Sequence, residues 1–232
     1  MSFDPASAIC FDHTHDAAAY AAAEIAKACE QAVQQRGCFH WVLAGGSTPE
    51  HCYRLLKDYP LAWESVHCWF GDERALPPGD AERNETMARN ALLDHVEIPE
   101  SNIHCVDFSL GTAHAAQDYA QQLSGVDCFD FVLLGMGEDG HTASLFPGLV
   151  PPEASEDSVA LAFPVWHSPK PPAERVSLSL SALNRHRQCM LLVTGASKTE
   201  ALQRIVDGDK LPIARIIEAQ WVLDRSAWPY RI

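Results

Sequence analysis

Short apolar runs alternate along the chain with longer segments in which apolar residues recur at helical spacing. Runs rich in β-branched or aromatic residues predict strands at residues 38–46, 65–73, 102–106, 129–137, 175–181, 189–195 and 220–224. Helical periodicity or composition predicts helices at residues 16–36, 49–58, 84–93, 112–123 and 197–206. This alternation indicates an α/β fold with a largely parallel sheet.

One segment, residues 147–172, interrupts the alternation because it is rich in proline and acidic residues. It contains an apolar stretch at 159–163 and is flanked by elements of the same type. We therefore interpret it as a long surface excursion and not as an interdomain linker. Residues 1–232 are expected to form a single α/β domain.

The composition is that of an ordinary globular protein, with 47% hydrophobic and 21% charged residues. A formal net charge of −14 argues against a nucleic-acid partner or an anionic membrane, so an anionic ligand must bind in a local pocket. The chain shows neither an apolar run of membrane-spanning length nor a secretory signal pattern, and we expect a cytoplasmic protein. Eight scattered cysteines without a C-x-x-C pair indicate reduced thiols.

Loops at the carboxyl ends of the predicted strands are the expected place for a ligand. In parallel sheets, such loops lead into helix N-termini, whose free N–H groups favour anions. Four loops follow apolar strands here: A-G-G-S-T-P-E (44–50), G-D-E-R (71–74), G-M-G-E-D-G-H-T (135–142) and T-G-A-S-K-T-E (194–200). We expect them to meet around one cleft.

A phosphate group would fit the first of these loops. Gly45 and Gly46 allow a ligand to approach the backbone closely, and Ser47 and Pro49 suit the start of a helix. An ordinary capped helix is the alternative, because Ser47 and Glu50 also match a capping box. A serine nucleophile is disfavoured, since Pro49 replaces the last glycine of G-x-S-x-G.

Two cations bear on the same question. Lys198 lies in the predicted first turn of a helix, where the helix dipole opposes a positive charge. A bound phosphate or Glu200 would compensate that charge, and a solvated lysine is an equal alternative. Arg175, after a proline-rich stretch, is open to the same interpretations.

His141 is the candidate for chemistry because it follows three glycines in a predicted tight turn at a strand end. Asp139, two residues earlier, could orient the imidazole as a general base, and Thr142 is expected to begin a helix. A histidine that only caps or packs is the alternative. Because no cysteines and histidines show metal-ligand spacing, we expect no metal.

Several motifs resemble those of the 6-phosphogluconolactonases, over about residues 42–205: G-M-G-E-D-G-H-T-A-S-L-F-P-G, A-G-G-S-T-P-E, F-G-D-E-R, S-P-K-P-P-A-E-R-V-S-L and G-A-S-K. The resemblance implies a Rossmann-like α/β fold, with helices on both faces of the sheet, which glucosamine-6-phosphate deaminases share. The deaminases differ after the histidine, where this chain reads T-A-S-L-F-P as the lactonases do. One departure is Arg83, where the family usually has serine before Asn84.

The resemblance implies hydrolysis of 6-phospho-D-glucono-1,5-lactone to 6-phospho-D-gluconate in the oxidative pentose phosphate pathway, without a cofactor. His141, oriented by Asp139, would activate water, and Arg74 or backbone N–H groups would stabilise the oxyanion. The residues implied to bind substrate are Gly45, Gly46, Ser47, Asp72, Glu73, Arg175 and Lys198, with the phosphate among Gly46, Ser47, Arg175 and Lys198.

The acidic pair in this set has two alternatives. Asp72 and Glu73 could bind sugar hydroxyls or tune Arg74, and a surface salt bridge is about as well supported.

Two other function classes stay open from the residues. A deaminase or isomerase of the same fold would use the same phosphate loop, with an acid that moves protons on an opened sugar. A non-catalytic sugar-phosphate sensor would need no base and would leave His141 without a reason. We expect a small-molecule ligand and a monomer or small homo-oligomer.

Overall fold

Strands and helices alternate along the described part of the chain, residues 7–151 and 159–229 of a computed structural model. The strands are β1 (Ile9–Phe11), β2 (Phe39–Leu43), β3 (Val66–Phe70), β4 (Asp72–Arg74), β5 (Ile103–His104), β6 (Phe129–Leu134), β7 (Ala162–Val165), β8 (Arg175–Leu178), β9 (His186–Val193) and β10 (Gln220–Asp224). The helices are α1 (Thr14–Arg36), α2 (Ser47–Leu56), α3 (Asn84–Ala91), α4 (Thr112–Leu123), α5 (Leu180–Leu183) and α6 (Thr199–Val206).

Seven strands form one parallel sheet in the order β1-β10-β9-β6-β2-β3-β5. β3 and β5 extend the sheet on one side of β2, whereas β6, β9 and β10 extend it on the other. The direction of winding therefore reverses between β2 and β6, where a crevice forms at the carboxyl ends of the strands. The predicted α/β fold with a largely parallel sheet is confirmed.

Helices cover both faces of this sheet. The buried side chains of α1, α2 and α3 share one apolar core with the sheet. α4, α5, α6 and a small second sheet contribute to the core on the other face. All six residues of β6 are buried between the two layers. None of the described helices is long and apolar enough to cross a lipid bilayer.

The second sheet is antiparallel, in the order β4-β8-β7, and it corrects two of the predicted strands. The run at 65–73 divides at Gly71, whose N–H still donates to the carbonyl oxygen of Leu43 at 3.0 Å before the chain turns into β4. The run at 175–181 contributes β8 to this small sheet and not to the parallel one. Of the proline-rich excursion at 147–172, β7 joins the same small sheet, and residues 152–158 lie outside the described residues.

Thr142 does not begin a helix, contrary to the sequence prediction. It forms an isolated bridge with Leu145, and its hydroxyl donates to the carbonyl oxygen of Gly135 at 2.9 Å. Ala143 has a φ of 46°, in the left-handed region, which stops a right-handed helix from forming there. The turn that carries His141 is therefore closed by contacts within residues 135–145.

Candidate active site

A cleft of about 610 Å³ opens at the carboxyl ends of β2, β3, β6 and β9. All four loops predicted to meet there contribute to its wall. Eight of the predicted site residues line it: Gly45, Gly46, Ser47, Asp72, Arg74, His141, Arg175 and Lys198. The other two, Asp139 and Glu73, are not among the lining residues.

Asp139 lies beside His141. Its Oδ1 is 2.5 Å from Nδ1 of the imidazole and also accepts the backbone N–H of His141 at 3.3 Å. A carboxylate in this position holds the proton on Nδ1, so the lone pair of the neutral ring is on Nε2. The arrangement can support general base chemistry.

Burial and the positive charge of Lys170 keep the His141 imidazole neutral. Burial lowers the pKa of His141 from its ordinary value, and the positive charge of Lys170 lowers it further. The hydrogen bond and charge of Asp139 oppose that shift without cancelling it. Burial alone would raise the pKa of Asp139, but the contacts with His141 hold it below its ordinary value. Near pH 7 the pair is therefore a neutral imidazole beside a carboxylate.

The turn around this pair depends on glycine. A Cβ atom at Gly137 would lie 2.0 Å from both Cε1 and Nδ1 of His141, so a side chain there would displace the imidazole. The N–H of Gly137 donates to the carbonyl oxygen of His141 at 2.8 Å, which closes the turn. On its other side the ring packs against Phe146, with 4.6 Å between the centroids.

The glycine loop after β2 leaves helix N–H groups facing the cleft. Gly46, with φ 105°, precedes α2, and no side chain caps that helix. The capping box that was the alternative for this loop does not form: the N-cap residue is Gly46, and the Glu50 carboxylate pairs with Arg54 at 2.5 Å. The uncapped N-terminus of α2 therefore presents donors that suit an anion.

Two side-chain contacts brace this loop. A Cβ atom at Gly45 would lie 2.1 Å from Oδ1 of Asn84, so only glycine permits their close approach. Thr48 and Thr194 place their hydroxyl oxygens 2.6 Å apart and so join the loop after β2 to the loop after β9. Two of the predicted loops are thus held in a fixed relation.

Four cationic side chains line the cleft of this acidic chain: Arg74, Lys170, Arg175 and Lys198. Arg74 and Arg175 lie directly opposite each other in the β4–β8 ladder. Like charges in that relation destabilise a sheet unless an anion compensates them. The cluster therefore favours an anionic ligand.

Arg175 is nearly inaccessible, and its guanidinium is fixed on several sides. It donates to the carbonyl oxygens of Lys170, Pro171 and Pro172 at 3.0, 2.9 and 3.2 Å. Nη1 lies 3.7 Å from Oδ2 of Asp72. Arg175 thus also anchors the loop that brings Lys170 to the cleft.

Lys198 ends a 3-10 turn over Ala196–Lys198 and precedes α6. Burial lowers the pKa of its ammonium group, Glu138 opposes this, and the charge of Lys170 adds to it. No carboxylate of the described residues lies within salt-bridge distance, and Glu200 is not the compensating group that was considered. This cation supports the anion-binding alternative.

Asp72 and Glu73 have different positions, which corrects their treatment as one pair. Side chains alternate along a strand, so Asp72 and Arg74 face the cleft whereas Glu73 points away from it. The Glu73 carboxylate is fully buried and accepts the backbone N–H groups of Arg74, Asn84 and Glu85 at 2.7–2.8 Å. The Glu73 carboxylate thus satisfies backbone N–H groups at the N-terminus of α3.

Arg83, the departure from the family pattern, also lies outside the cleft. Its buried guanidinium donates to the carbonyl oxygen of Val106 at 3.0 Å and pairs with Glu85 at 2.8 Å. Its Nε lies 3.6 Å from the Glu73 carboxylate. Asn84 faces the site instead, and its amide donates to the Asp72 carboxylate at 3.1 Å. The departure leaves the cleft lining intact.

Several site residues were missed by sequence reasoning. Lys170 stood in the quoted S-P-K-P-P stretch, but its position depends on the loop that Arg175 anchors. Asn84, Thr48 and Thr194 carried no signal beyond their closeness to the motifs. Thr14 also lines the cleft, and its hydroxyl donates to Asp224 at 2.6 Å. No group of three or more potential metal ligands converges within the described ranges.

Known proteins are similar to this chain in sequence over most of its length. The family model for glucosamine-6-phosphate isomerases/6-phosphogluconolactonase matches residues 12–226. A 6-phosphogluconolactonase from Mycobacterium leprae is 36% identical over 223 residues, 88% of this chain and 89% of that protein.

Solved structures share the fold. That of 6-phosphogluconolactonase from Thermotoga maritima has a TM-score of 0.82 at 28% identity and covers 94% of this chain and 98% of that one. A monomeric glucosamine-6-phosphate deaminase has a TM-score of 0.78 at 19% identity, with 95% and 98% covered. At this level of identity, the similarity to the deaminase shows a shared fold and nothing more.

Proposed function

The chain belongs to the family of glucosamine-6-phosphate isomerases and 6-phosphogluconolactonases, and we propose that it hydrolyses 6-phospho-D-glucono-1,5-lactone to 6-phospho-D-gluconate in the oxidative pentose phosphate pathway. One observation carries the proposal. A neutral histidine held by a carboxylate shares a cleft with four cationic side chains, in a chain whose net charge is −14. The histidine suits attack of water on an ester carbonyl, and the cations suit a phosphorylated substrate.

His141 is the general base in this mechanism. Nε2 takes a proton from water as the water oxygen attacks the lactone carbonyl carbon, and Asp139 stabilises the imidazolium that forms. The tetrahedral intermediate then collapses with cleavage of the bond between that carbon and the ring oxygen. The imidazolium returns its proton to the departing ring oxygen, which becomes the hydroxyl of the open acid.

Arg74 is the candidate for stabilising the oxyanion. Its Nη1 donates to the carbonyl oxygen of Glu82, which fixes the guanidinium. The Arg74 side chain lines the cleft, so the remaining N–H groups of its guanidinium can donate to an oxyanion there.

The phosphate is assigned to the other cations of the cleft and to the helix N-terminus beside them. Gly46 and Ser47 contribute the uncapped N-terminus of α2, and Lys198 and Arg175 contribute charge. Lys170 lies close enough for its charge to act on both His141 and Lys198, so we place it between the phosphate and the reacting carbon. The Asp72 carboxylate can accept hydrogen bonds from the sugar hydroxyls.

The experiment that tests the function follows acid release in a pH-stat after the protein is added to freshly prepared 6-phosphogluconolactone. Because the lactone also opens spontaneously, that rate is subtracted. We expect clear acceleration with catalytic amounts of protein. Binding of 6-phosphogluconate without acceleration would favour the sensor, whereas release of ammonia from glucosamine 6-phosphate would favour the deaminase. Either result would overturn the proposal.

A further inference from the structure

The Asp72 carboxylate is held from behind the cleft wall. Oδ1 accepts the amide of Asn84 at 3.1 Å, and Oδ2 accepts the hydroxyl of Ser144 at 2.5 Å. Oδ2 also forms a salt bridge with Nη1 of Arg175 at 3.7 Å, a separation longer than that of a hydrogen-bonded pair. The two neutral donors therefore hold the carboxylate in a looser ion pair with the arginine than direct hydrogen bonding would give.

Ser144 has little freedom of its own. It is 2% exposed, and its backbone N–H donates to Oγ of Ser177 at 3.1 Å. Ser177 pairs with Asp72 across the β4–β8 ladder. The preceding residue, Ala143, has the unusual φ of 46°, a conformation that persists only where the surroundings impose it. Ser144 thus links the turn of His141 to the small sheet that carries Asp72.

Ser144 is not among the residues that line the cleft, so its side chain is not placed to contact a ligand. We propose that Ser144 is a positioning residue: its hydroxyl keeps the Asp72 carboxylate from closing further on Arg175 and so leaves Nη1, the guanidinium nitrogen that is not bound to a backbone carbonyl, available to the substrate phosphate. The inference rests on the proposed function, because it assigns Arg175 to that phosphate.

Loss of the hydroxyl has a defined consequence. In Ser144→Ala, Oδ2 of Asp72 loses its nearest donor, and opposite charges 3.7 Å apart draw together in a buried site. A contact ion pair would occupy Arg175 and weaken phosphate binding. Since the phosphate is remote from the reacting carbon, the loss should appear mainly as a higher KM with a smaller change in kcat.

A double-mutant cycle tests this assignment. We expect Ser144→Ala to lower kcat/KM for 6-phosphogluconolactone by about 5- to 30-fold, and to weaken 6-phosphogluconate binding in calorimetry by a similar factor. In an Asp72→Asn background, which has no carboxylate to close on Arg175, the same change should cost less than about twofold, because residues that act as a unit are non-additive.

Ser181→Ala is the matched control. This serine is also buried, but its hydroxyl contacts Ser179 and the carbonyl oxygen of Ala160, away from the cleft. We expect its kcat/KM to stay within about twofold of wild type, as for loss of a hydroxyl that does not act on the site. If Ser144→Ala does not fold, Ser144→Cys preserves most of the volume with a weak donor and should show the same losses.

Two results would overturn the proposal: Ser144→Ala behaving like the Ser181 control, or equal losses in the wild-type and Asp72→Asn backgrounds. Calorimetry separates this from a failure of the proposed function. A wild-type protein that binds 6-phosphogluconate without accelerating hydrolysis refutes the lactonase function. In that case the double-mutant cycle, measured as 6-phosphogluconate affinity, still tests the role of Ser144. A wild-type protein that neither binds 6-phosphogluconate nor accelerates hydrolysis refutes both.

Discussion

Nδ1 of His141 lies 2.5 Å from Oδ1 of Asp139, two residues earlier in the same glycine-rich turn. The short spacing needs a tight turn, and the absence of a side chain at Gly137 leaves room for the ring. The pair is therefore built by local sequence, whereas the packing of Phe146 against the ring comes from the loop beyond it. The turn therefore sets the orientation of the imidazole, whereas burial and the charge of Lys170 keep it neutral.

Replacement of His141 by asparagine tests its role as the base. We expect kcat for the phosphorylated lactone to fall by roughly 10² to 10⁴, the usual contribution of a positioned base, with 6-phosphogluconate affinity changed by only a few-fold. Steady-state kinetics and calorimetry measure the two quantities. His114→Asn, at an exposed position of α4, is the control. A His141 variant with most of its turnover would place the base elsewhere.

The pH profile of kcat/KM tests whether Asp139 stabilises the protonated form of His141. Activity requires the neutral imidazole, so kcat/KM should decline as pH falls through the lowered pKa of His141, below its ordinary 6.5. Asp139 raises that pKa against the effect of burial. Asp139→Asn should therefore move the acid limb to lower pH, and it should also reduce kcat because the ring loses its orientation.

Glu138→Gln is the matched control for that profile. It removes a neighbouring carboxylate whose charge acts on Lys198, so the acid limb should stay where it is in wild type. An acid limb that moves to higher pH in Asp139→Asn would show that the carboxylate does not stabilise the imidazolium.

The sequence predicted the core of the site because its signals are local. Apolar strands followed by glycine predicted the four loops, and the expected parallel sheet predicted that these loops meet around one cleft. The bounds of α4 and β10 agree with the predicted segments at 112–123 and 220–224. What brings Gly45 and His141 to one cleft is the reversal between β2 and β6, which alternation of strands and helices favours.

The remaining site residues depend on tertiary structure. Glu73 was grouped with Asp72 because the short strand β4 was not recognised, although period-2 alternation would have separated them. Lys170 reaches the cleft through a loop whose path is set by three carbonyl contacts with Arg175. Thr142 was assigned to a helix, but Ala143 is left-handed, and the next residue, Ser144, is bound to Ser177 and Asp72, which are distant in sequence.

Chelation tests the expectation that no metal takes part. Polarisation of the carbonyl is assigned to Arg74, so the rate after exhaustive dialysis against EDTA should equal that after dialysis against buffer alone. The same hydrolysis assay serves for both samples. Loss of activity that returns on addition of one divalent cation would contradict the mechanism.

Three stacked histidines on neighbouring strands β2, β3 and β5, His40, His67 and His104, predict that the folded protein loses stability in acid. Burial and the neighbouring His67 and His40 lower the pKa of His104 to about 4. The unfolded chain, with an ordinary pKa of about 6.5, then binds more protons than the folded one. Stability is therefore fully present above pH 6.5 and is lost as pH falls from 6.5 towards 4.

His104→Phe tests this, because phenylalanine can keep the stack on Trp69, now 3.7 Å between centroids, without titrating. Between pH 7 and 5 the melting temperature of the variant should fall by roughly 2 to 4 °C less than that of wild type, which corresponds to ~1 kcal/mol. His114→Gln, at an exposed position, should leave the wild-type fall unchanged. Equal falls in His104→Phe and wild type would exclude His104 as a source of the acid sensitivity.

The central claim is that the cleft hydrolyses a phosphorylated lactone, and a comparison of kcat/KM for 6-phosphogluconolactone and gluconolactone in wild type and Lys198→Ala tests it most directly. Lys198 suits this measurement better than Arg175, whose loss would also release the loop it anchors. Lys210→Ala, an exposed lysine outside the cleft, is the control, and ionic strength is held constant because salt screens the phosphate contact. We predict that Lys198→Ala loses about 10- to 10³-fold on the phosphorylated lactone and resembles wild type on gluconolactone. Equal losses on both substrates would contradict the account, because Lys198 would then act at the carbonyl or on the fold.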